Sequence, residues 1–495
     1  MDALPAPKGD PIVVPRVNRR PCASVRRVPL VRIGRFGPAS RSRKRRAASR
    51  LTLTLGAAFL AALLGLGLGP AAAARVTVVT VDRQSVLGIS HLQVGVTHTQ
   101  HSADSLNSSP AVTRARDLLK SVSQLQNQHI MGWGAGNPEP SPGHYDFASL
   151  DARVALMRAT GATPVITLCC APDWMKGGAS GQTDWSKLAE APTPSHFADF
   201  ARLSAAVAKR YPDVRYFQVW NELKGFYRAS LHRYDYEGYT NLYNQVYDAV
   251  KAVRPDAKIG GPYVVISSWS RHVTPSDARS PLGGPYGTID KRPLDVIRYW
   301  LAHKHGADFI TLDANTVNKD GGSVGAYTGA QKFADTAAWL RKLPAAQYPG
   351  ARTLPLWWAE WKVETSPASH DLAYLTSIMA SGLARTLRSG AAVALIWGAQ
   401  GDSSGLASPE GVWTDTSSAS GGRPTPLAAV LRGLRTRFPP GTQLVRANST
   451  SHQVEVLASS SNAMLVNHSS YAKAVDVAGT TLKLPGYGVR FTALR

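Results

Sequence analysis

The chain is poor in cysteine, with only three among its 495 residues. Cys22 lies near the N-terminus, while Cys169 and Cys170 are neighbours, so no disulfide framework can be built from them. We expect this pair to be two buried free thiols, and a vicinal disulfide is the alternative. Histidines with the short spacings of zinc ligands are also absent. The sequence therefore predicts no metal site and no organic cofactor.

Acidic residues are scarce as well, but the resulting positive charge is concentrated at one end. Residues 1–74 contain 14 Lys and Arg against 2 Asp and Glu, a net +12 of the whole-chain +23. The rest of the chain is moderately basic and has no basic run interleaved with aromatic residues. This distribution argues against a nucleic-acid partner.

Long apolar runs are rare, and the one that stands out follows this basic region. The segment "RSRKRRAASR" (41–50) precedes "LTLTLGAAFLAALLGLGLG" (51–69) and the small residues Ala72-Ala73-Ala74. This order is typical of a signal peptide, which places the mature start near Arg75 and predicts a secreted, extracellular protein. An uncleaved signal anchor facing outside is the alternative, because an uncharged run of this length can just span a bilayer. A membrane contact is expected only through such an anchor.

From residue 91 onward, short β-rich apolar runs alternate with longer amphipathic segments in eight cycles. The predicted strands cover 91–98, 128–133, 163–170, 214–220, 257–265, 307–313, 354–360 and 392–398. Near-continuous apolar strands between such helices indicate a parallel sheet, and eight repeats are the number that closes a barrel. We therefore predict an α/β fold, a (β/α)8 TIM barrel, over residues 85–438; a doubly wound open sheet is the alternative.

After Pro439-Pro440-Gly441 the pattern changes to short strands without helices. This indicates a small C-terminal β-sandwich over residues 439–495. The segment 75–84, "RVTVVTVDRQ", has the same strand character and is a candidate to complete it.

Only eight glutamates follow residue 74, and two of them end predicted strands. Glu222 follows the fourth strand and Glu360 ends the seventh, nearly opposite one another in a barrel of eight. Side chains at the carboxyl ends of barrel strands point into the mouth, so these carboxyls could face one bond from two sides. Hydrolysis of a glycosidic bond needs such a pair, one neutral to protonate the leaving oxygen and one charged.

The sequence around these glutamates resembles the clan A retaining glycoside hydrolases. Trp220-Asn221-Glu222 and the "WWAEW" that contains Glu360 look like their acid/base and nucleophile motifs. Within the clan, residues 85–495 are most similar to glycoside hydrolase family 39, the β-xylosidase and α-L-iduronidase family. Further similar segments are "YDFASLDARVALMRATGATPVITLCCAPDWM", "IGGPY" and "LPGYGVRFTAL". The resemblance implies double displacement on a carbohydrate substrate, with Glu222 as general acid/base and Glu360 as nucleophile.

The resemblance also implies roles for other residues at strand ends. Asn221 would hydrogen-bond the hydroxyl next to the anomeric carbon, and Trp397 would form a sugar platform. Weaker candidates for binding the sugar follow other predicted strands: His98, Trp133, Asp173, Trp174, Tyr263, Asp313, Asn315 and Trp358. The sixth strand departs from the family, because Asp313-Ala314-Asn315 stands where a His or Tyr partner of the nucleophile is usual. Asp173 and Asp313 are the rival acid/base pair.

These observations predict an exported, β-xylosidase-like glycosidase acting on plant- or cell-wall-type saccharides. One alternative is an endo-acting polysaccharide hydrolase of the same clan, and loops 266–290 and 399–423 would decide between the two by closing or opening one end of the cleft. A carbohydrate-binding barrel without activity is the alternative from another class. Two opposed carboxylates argue against it, since binding alone would not need them. The oligomeric state is left open.

Overall fold

The computed structural model describes residues 76–100, 102–103, 109–270, 278–321, 325–363, 371–401 and 411–494. The predicted leader and cleavage site lie outside the described residues, as do parts of loops 266–290 and 399–423. No helix within the described ranges combines the length and the apolar character that crossing a membrane requires.

Helices separate most of the barrel strands of the described chain, and after residue 437 the strands follow one another without helices. The strands are β1 (Thr77–Ile89), β2 (Gln93–Thr97), β3 (Leu125–His129), β4 (Thr163–Leu168), β5 (Tyr216–Val219), β6 (Tyr227–Arg228), β7 (Arg233–Tyr234), β8 (Lys258–Ile266), β9 (Ser268–Trp269), β10 (Arg279–Gly284), β11 (Gly287–Asp290), β12 (Phe309–Asn315), β13 (Leu356–Lys362), β14 (Val393–Trp397), β15 (Gln443–Ser449), β16 (Val454–Ser459), β17 (Asn462–Asn467), β18 (Lys473–Val477), β19 (Thr480–Leu484) and β20 (Val489–Ala493).

Eight of these strands close a parallel barrel in the order β2-β3-β4-β5-β8-β12-β13-β14. The last strand pairs with the first, with Val393 opposite Gln93, so no sheet edge is left open. The predicted (β/α)8 barrel is confirmed, and the open doubly wound sheet is excluded. An apolar cluster from five of the barrel strands packs together as a separate part of the core: Leu125, Val165, Phe309, Trp357, Val393 and Leu395.

The helices are amphipathic and lie on the outside of the barrel strands. They are α1 (Ser109–Val122), α2 (Ala148–Ala159), α3 (Phe197–Arg210), α4 (Tyr236–Val253), α5 (Lys291–His303), α6 (Ala326–Gly329), α7 (Gln331–Lys342), α8 (Leu372–Arg388) and α9 (Pro426–Arg437). Helix α8 is buried over most of its circumference, because it contacts both α7 and the C-terminal strands β17 and β20. Its apolar residues all round the helix follow from that position.

The second barrel strand lies three residues earlier than predicted. It covers Leu125–His129 rather than 128–133, and four of its five side chains are polar and fully buried. Neighbouring strands supply their hydrogen-bond partners. The Nδ2 atom of Asn127 donates to Thr97 Oγ1 at 3.2 Å, and its Oδ1 atom accepts from Thr167 Oγ1 at 2.8 Å. Buried polar groups are stable when they are hydrogen-bonded in this way. The prediction placed the strand too far along the chain because it followed the apolar residues of "IMGW". A sequence pattern does not show that polar side chains will find hydrogen-bond partners on neighbouring strands.

Cys169 and Cys170 follow β4 and are fully buried. The structure joins them in a vicinal disulfide. The expectation of two free thiols is therefore corrected, because the two sulfur atoms lie within bonding distance.

The predicted C-terminal β-domain is present, and its strands form one seven-stranded sheet in the order β19-β18-β1-β15-β16-β17-β20. Strand β1 lies between β15, which it pairs antiparallel, and β18, which it pairs parallel. Its own apolar cluster includes Val79, Val456, Leu465 and Leu484. A second set of side chains from this sheet, Leu457, Met464 and Val466 among them, belongs to the barrel core. The sheet is thus docked on the barrel through an apolar face.

A buried charge cluster fastens this sheet to α8. Glu455 of β16 lies 3.0 Å from Arg388 Nη1 and 3.3 Å from His468 Nε2, and Ser381 donates a short hydrogen bond to it. Burial raises the pKa of Glu455, but the hydrogen bond with His468 and the charges of Arg388 and Arg385 outweigh it and lower that pKa to about 2. The carboxylate is therefore charged and paired in the folded state.

We expect Glu455→Gln to lower the free energy of unfolding at pH 7 by about 1–3 kcal/mol, because the arginines lose a charged, partly buried partner. A carboxyl whose folded pKa is lowered stabilises the fold above its ordinary pKa of 4.5 and loses that contribution as the pH falls towards 2. Urea unfolding should therefore show a difference between variant and wild type that shrinks below pH 4.5. Asp117→Asn, in the exposed pair with Lys120, is the control and should change little. Equal effects of both substitutions would contradict the prediction.

Candidate active site

Glu360 lies inside β13, and a β-bulge turns its side chain into the barrel. Leu312 of β12 pairs with Trp358 and Asp313 pairs with Glu360, so Ala359 has no residue opposite it. Side chains alternate along a strand, so without the extra residue Glu360 would share the face of Trp358. Trp358 points outward and packs on Phe333 of α7 with ring centroids 4.9 Å apart. The bulge is therefore what brings Glu360 to the interior.

A matching bulge lies on the other side of β12, in β8. Thr311 pairs with Pro262 and Leu312 with Val264, which leaves Tyr263 unpaired with a φ of 52°. Its hydroxyl donates to the carbonyl of Ala359 at 3.5 Å. Burial raises the pKa of Tyr263 well above its ordinary value, and the Glu360 charge adds to this. Tyr263 is fully buried beside Glu360, and its predicted role as a sugar ligand stays a prediction.

Glu222 lies in a tight turn three residues beyond β5, not at the strand end. Trp220, Glu222 and Leu223 all have positive φ, of 70°, 52° and 50°, a conformation that is uncommon outside glycine and frequent at functional sites. The buried Trp220 ring fixes the turn, packing on Phe200 and donating its Nε1–H to the carbonyl of Lys224 at 2.8 Å. The aromatic stretch before the glutamate thus anchors the turn while the Glu222 side chain stays 18% exposed.

Glu222, Asp313 and Glu360 meet in one hollow, where one carboxyl oxygen of each lies within 4.8 Å of one carboxyl oxygen of the other two. Asp313 and Glu360 are each only 6% exposed. Oxygens at this spacing could also hold one divalent cation such as Ca²⁺ or Mg²⁺, a possibility that the sequence spacing did not suggest. The convergence of Glu222 and Glu360 is the geometry that the sequence called for, and Asp313 adds a third carboxyl to it.

Burial and mutual repulsion make it costly to charge all three groups. Burial and the charge of Glu222 raise the pKa of Glu360 to about 8, although Lys224, Lys362 and Tyr263 oppose the shift. Burial, followed by the charges of Glu360 and Glu222, raises the pKa of Asp313 well above its ordinary value. Burial and repulsion therefore favour the neutral form of the more buried carboxyls.

Lys224 is a residue of this site that sequence reasoning missed. Its ammonium lies 2.6 Å from Glu222 Oε2 and 5.2 Å from the centre of the Trp133 ring. A charged residue two positions from the predicted acid was visible in "NELK", but only the turn geometry brings its tip back to the carboxylate.

Aromatic side chains line the hollow beside Lys224. Trp133 and Trp397 meet edge to face with centroids 5.5 Å apart, and His129, which was also missed, lies 4.4 Å from Trp133. Both tryptophans are partly exposed, as a platform for a sugar ring requires. Burial lowers the pKa of His129 to about 3, so its ring is neutral.

Asn221 is fully buried next to Glu222 in sequence. Its amide is close enough to the buried His129 ring for a hydrogen bond between them to oppose the lowering of the His129 pKa by burial. The role that the sequence predicts for Asn221 in binding the sugar stays a prediction.

Several other predicted sugar ligands serve the fold instead. His98 is fully buried, and its ring nitrogens pair with Ser102 Oγ at 2.8 Å and Gln126 Oε1 at 2.9 Å. Asp173 forms a buried ion pair with Lys176 at 3.0 Å, which also removes it as a rival catalytic acid. Trp174 donates to the carbonyl of Glu139 at 2.9 Å. These three predictions were wrong because each side chain already has its partner inside the protein.

Trp358 and Asn315 complete the set of predicted residues. The prediction for Trp358 was wrong, since it faces the helices and not the hollow. Asn315 ends β12 with a partly exposed side chain, while its carbonyl accepts a hydrogen bond from Lys332 at 2.9 Å. Its role in binding stays a prediction.

Comparisons with known proteins point in one direction. Residues 137–399 match the sequence model of Glycosyl hydrolases family 39. A curated β-xylosidase of Caldicellulosiruptor saccharolyticus is 24% identical over 242 residues, which are 46% of this chain and 43% of that protein. The match thus spans less than half of that relative's length.

Solved structures share the fold. A conserved exported protein from Bacteroides fragilis superimposes with a TM-score of 0.60 at 14% identity, over 85% of this chain and 100% of that one. A monomeric β-xylosidase from Caulobacter crescentus CB15 does so with a TM-score of 0.55 at 15% identity, over 81% of this chain and 83% of that one. At these identities the likeness concerns the fold alone.

Proposed function

The chain belongs to glycosyl hydrolase family 39, and from that premise we propose that it is a β-xylosidase-like glycosidase. It cleaves O-glycosidic bonds of plant- or cell-wall-type saccharides by double displacement. Glu222 is the general acid/base and Glu360 is the nucleophile.

The separation of the two carboxyls is the observation that carries this proposal. One carboxyl oxygen of each lies within 4.8 Å of one carboxyl oxygen of the other. Retaining glycosidases place the two groups about 5 Å apart so that one can attack the sugar, whereas inverting enzymes leave about 6.5–9.5 Å for a water molecule. The spacing supports direct attack by a carboxylate.

The surroundings of each glutamate support its role. Glu222 is the more exposed of the two and sits on a turn, where it can reach a leaving oxygen and later an incoming water. Glu360 is held deeper, aimed by the bulge and flanked by Tyr263, as suits a nucleophile that must approach one atom. The amide of Asn221, next to Glu222 in the chain and beside His129, is the group that hydrogen-bonds a sugar hydroxyl.

One side of the hollow is built up, which favours exo action over the endo alternative. Arg292 Nη1 donates to Tyr227 Oη of the β6–β7 hairpin at 3.2 Å, and Arg292 Cζ lies 5.8 Å from the centre of the Trp269 ring in the β9–β11 sheet. Arg292 thereby joins the hairpin to that sheet. Tyr234 of the same hairpin is close enough to Glu222 for its charge to raise the pKa of the tyrosine, after burial and Asp290. A wall beside the acid/base restricts passage of a long chain.

We expect the first-formed product to keep the anomeric configuration of the substrate, because two displacements at one carbon restore it. Proton NMR during hydrolysis of a panel of aryl xylosides, arabinosides, galactosides and glucuronides measures this before mutarotation. A first-formed product of inverted configuration would exclude double displacement. Absence of turnover across the panel, with sugar binding retained, would favour the inactive carbohydrate-binding barrel.

Neither a metal nor an organic cofactor is assigned a role, so EDTA should leave turnover unchanged.

Export is part of the proposal and rests on the basic and apolar segments at 41–69. The mass of the chain recovered from culture medium should correspond to a start near Arg75. Recovery of the intact chain from membranes would favour the signal anchor.

A further inference from the structure

A second cavity, of about 610 Å³, lies on the outer side of the barrel, where α7, the end of α8 and β16 of the C-terminal sheet meet. Its walls are outer helices and one strand of the C-terminal sheet, whereas the catalytic hollow is formed at the carboxyl ends of barrel strands. Neither Glu222 nor Glu360 lines it. A space of this size can hold a small organic molecule.

Three arginines and one glutamate give the lining of this cavity its charge. Arg341 lies in the last turn of α7, Arg385 and Arg388 lie in the last turn of α8, and Glu455 belongs to β16. Glu455 is already paired with Arg388, whose Nη1 lies at 3.0 Å, and with His468 Nε2 at 3.3 Å. One carboxylate with these partners cannot neutralise two further guanidinium groups, so the lining carries an excess of positive charge.

Arg341 has no acidic partner within the described ranges. Its Nη1 donates to the main-chain carbonyls of Ala351 at 2.7 Å and Leu354 at 2.9 Å. Burial lowers the pKa of Arg341, and no carboxylate opposes that shift. Arg210 and Arg292 differ in this respect, because a bonded carboxylate raises the pKa of each. The positive charge of Arg341 is thus half-buried and uncompensated, and its Nε and Nη2 have no acceptor in the described part of the protein.

Arg385 supplies a second set of N–H donors from the neighbouring helix. Its Nη1 donates to the carbonyl of Tyr327, while its Nη2 stays 4.0 Å from Glu455 Oε2, which is too far for a hydrogen bond. Its side chain is 20% exposed. Planar forks of N–H donors match the oxygens of a carboxylate or a phosphate, and two such forks line the same cavity.

The rest of the α7 wall is formed mainly by small apolar side chains. Ala334, Ala337 and Ala338 line the cavity one turn before Arg341 or closer. Alanines leave room for the apolar part of a ligand, and burying that part against them is favourable. Aromatic residues are missing from the lining as far as the described chain defines it, so a sugar ring has nothing to stack on.

We propose that this cavity binds a small organic anion, whose carboxylate or phosphate group is held by Arg341 and Arg385 and whose apolar part lies along the alanines of α7. The bound anion compensates the charge that Glu455 leaves unpaired. Because no residue of the catalytic hollow takes part, failure of the proposed glycosidase function would leave this site unaffected.

The first test is isothermal titration calorimetry of the full chain with phenyl phosphate and with benzoate. At least one of them should bind with a stoichiometry of one, and the tighter of the two identifies the preferred anionic group. Benzyl alcohol has the ring without the charge and should bind at least tenfold more weakly. Inorganic phosphate should bind about tenfold more weakly than phenyl phosphate, because it buries no apolar surface. Binding by neither aromatic anion, or equally tight binding of benzyl alcohol, overturns the proposal.

The second test places a competing carboxylate in the cavity. Ala338 is exposed on α7, so Ala338→Glu removes no packed side chain and suits a helix. We expect it to weaken anion binding at least tenfold, whereas Ala338→Gln, which has the same size without the charge, should change it less than threefold. Arg341→Gln should also weaken binding about tenfold, and its unfolding midpoint is measured because two carbonyls lose their donor.

A control separates this cavity from the catalytic hollow. Lys224→Met removes the ammonium beside Glu222 and should leave the affinity for the aromatic anions unchanged. Loss of binding in Lys224→Met, with full binding in Ala338→Glu and in folded Arg341→Gln, would place the anion in the hollow and overturn the proposal.

Discussion

Glycine in place of Glu360 is expected to lower kcat by about four to six orders of magnitude, and added azide is expected to restore much of the loss. The substitution removes the carboxyl that the Ala359 bulge turns into the barrel, which is the proposed nucleophile, and it leaves space in the hollow. Azide is a small anion that can enter that space and attack the same carbon. The assay is steady-state hydrolysis of a dinitrophenyl glycoside with and without azide.

The azide product makes this result specific. A single displacement by azide inverts the anomeric carbon, so the glycosyl azide should have the configuration opposite to that of the substrate. Glu237→Gln, which changes an exposed glutamate paired with Arg233, should keep wild-type turnover. Loss of activity without azide rescue, in a chain that stays folded, would remove Glu360 as the nucleophile.

The stability of Glu360→Gln shows whether a loss of activity at this residue reflects lost chemistry or lost folding. The folded pKa of Glu360 is about 8, above its ordinary 4.5, so charging this group costs the folded state stability as pH rises through that window. Glu360→Gln should therefore be as stable as wild type or more stable at pH 7. A strongly destabilised Gln variant would mean that its lost activity reports unfolding.

Glutamine in place of Glu222 is expected to produce a loss that depends on the leaving group. A general acid contributes about 10²–10⁴-fold when the departing oxygen needs a proton. A dinitrophenolate leaves without being protonated. The glycosylation step of such glycosides should therefore slow far less than that of glycosides with an alkyl or saccharide leaving group. A Brønsted series of aryl glycosides, read as kcat/KM against the leaving-group pKa, measures this dependence.

The slope of that series should become steeper in Glu222→Gln than in wild type. Asp313→Asn is the informative companion, because Asp313 shares the hollow but is not assigned to protonate the leaving group. An equal loss across all leaving groups in Glu222→Gln would show that Glu222 does not act as the acid. A steeper slope in Asp313→Asn instead would transfer that role to Asp313.

Asp313 marks where this chain departs from its family pattern. The sequence shows an aspartate on the sixth strand where a His or Tyr is usual, and the structure places that carboxyl between the other two. Three carboxyls cannot all be charged in a buried hollow, so the proton count of the site is set by three groups and two lysines. Asp313 therefore has to be counted with the two glutamates as a possible proton donor.

Residues with strong local patterns were predictable. The eight alternations of strand and helix closed into the barrel, and Glu222 and Glu360 were placed opposite one another from strand counting alone. Strand β3 was misplaced because its polar residues look unlike a strand until Thr97 and Thr167 satisfy them. His98, Asp173 and Trp174 follow strands as a sugar ligand would, yet each side chain already has a hydrogen-bond or ion-pair partner within the protein.

The order of elements, the closed barrel and the identity of the two glutamates were determined by the sequence itself, because hydrophobic period and position along a strand are local properties. The aim of Glu360, the ion pair of Lys224 with Glu222 and the third carboxyl of the hollow were decided only by the tertiary structure. Each depends on how one strand is registered against the next or how a turn folds back, and a shift of one residue reverses the direction of a side chain.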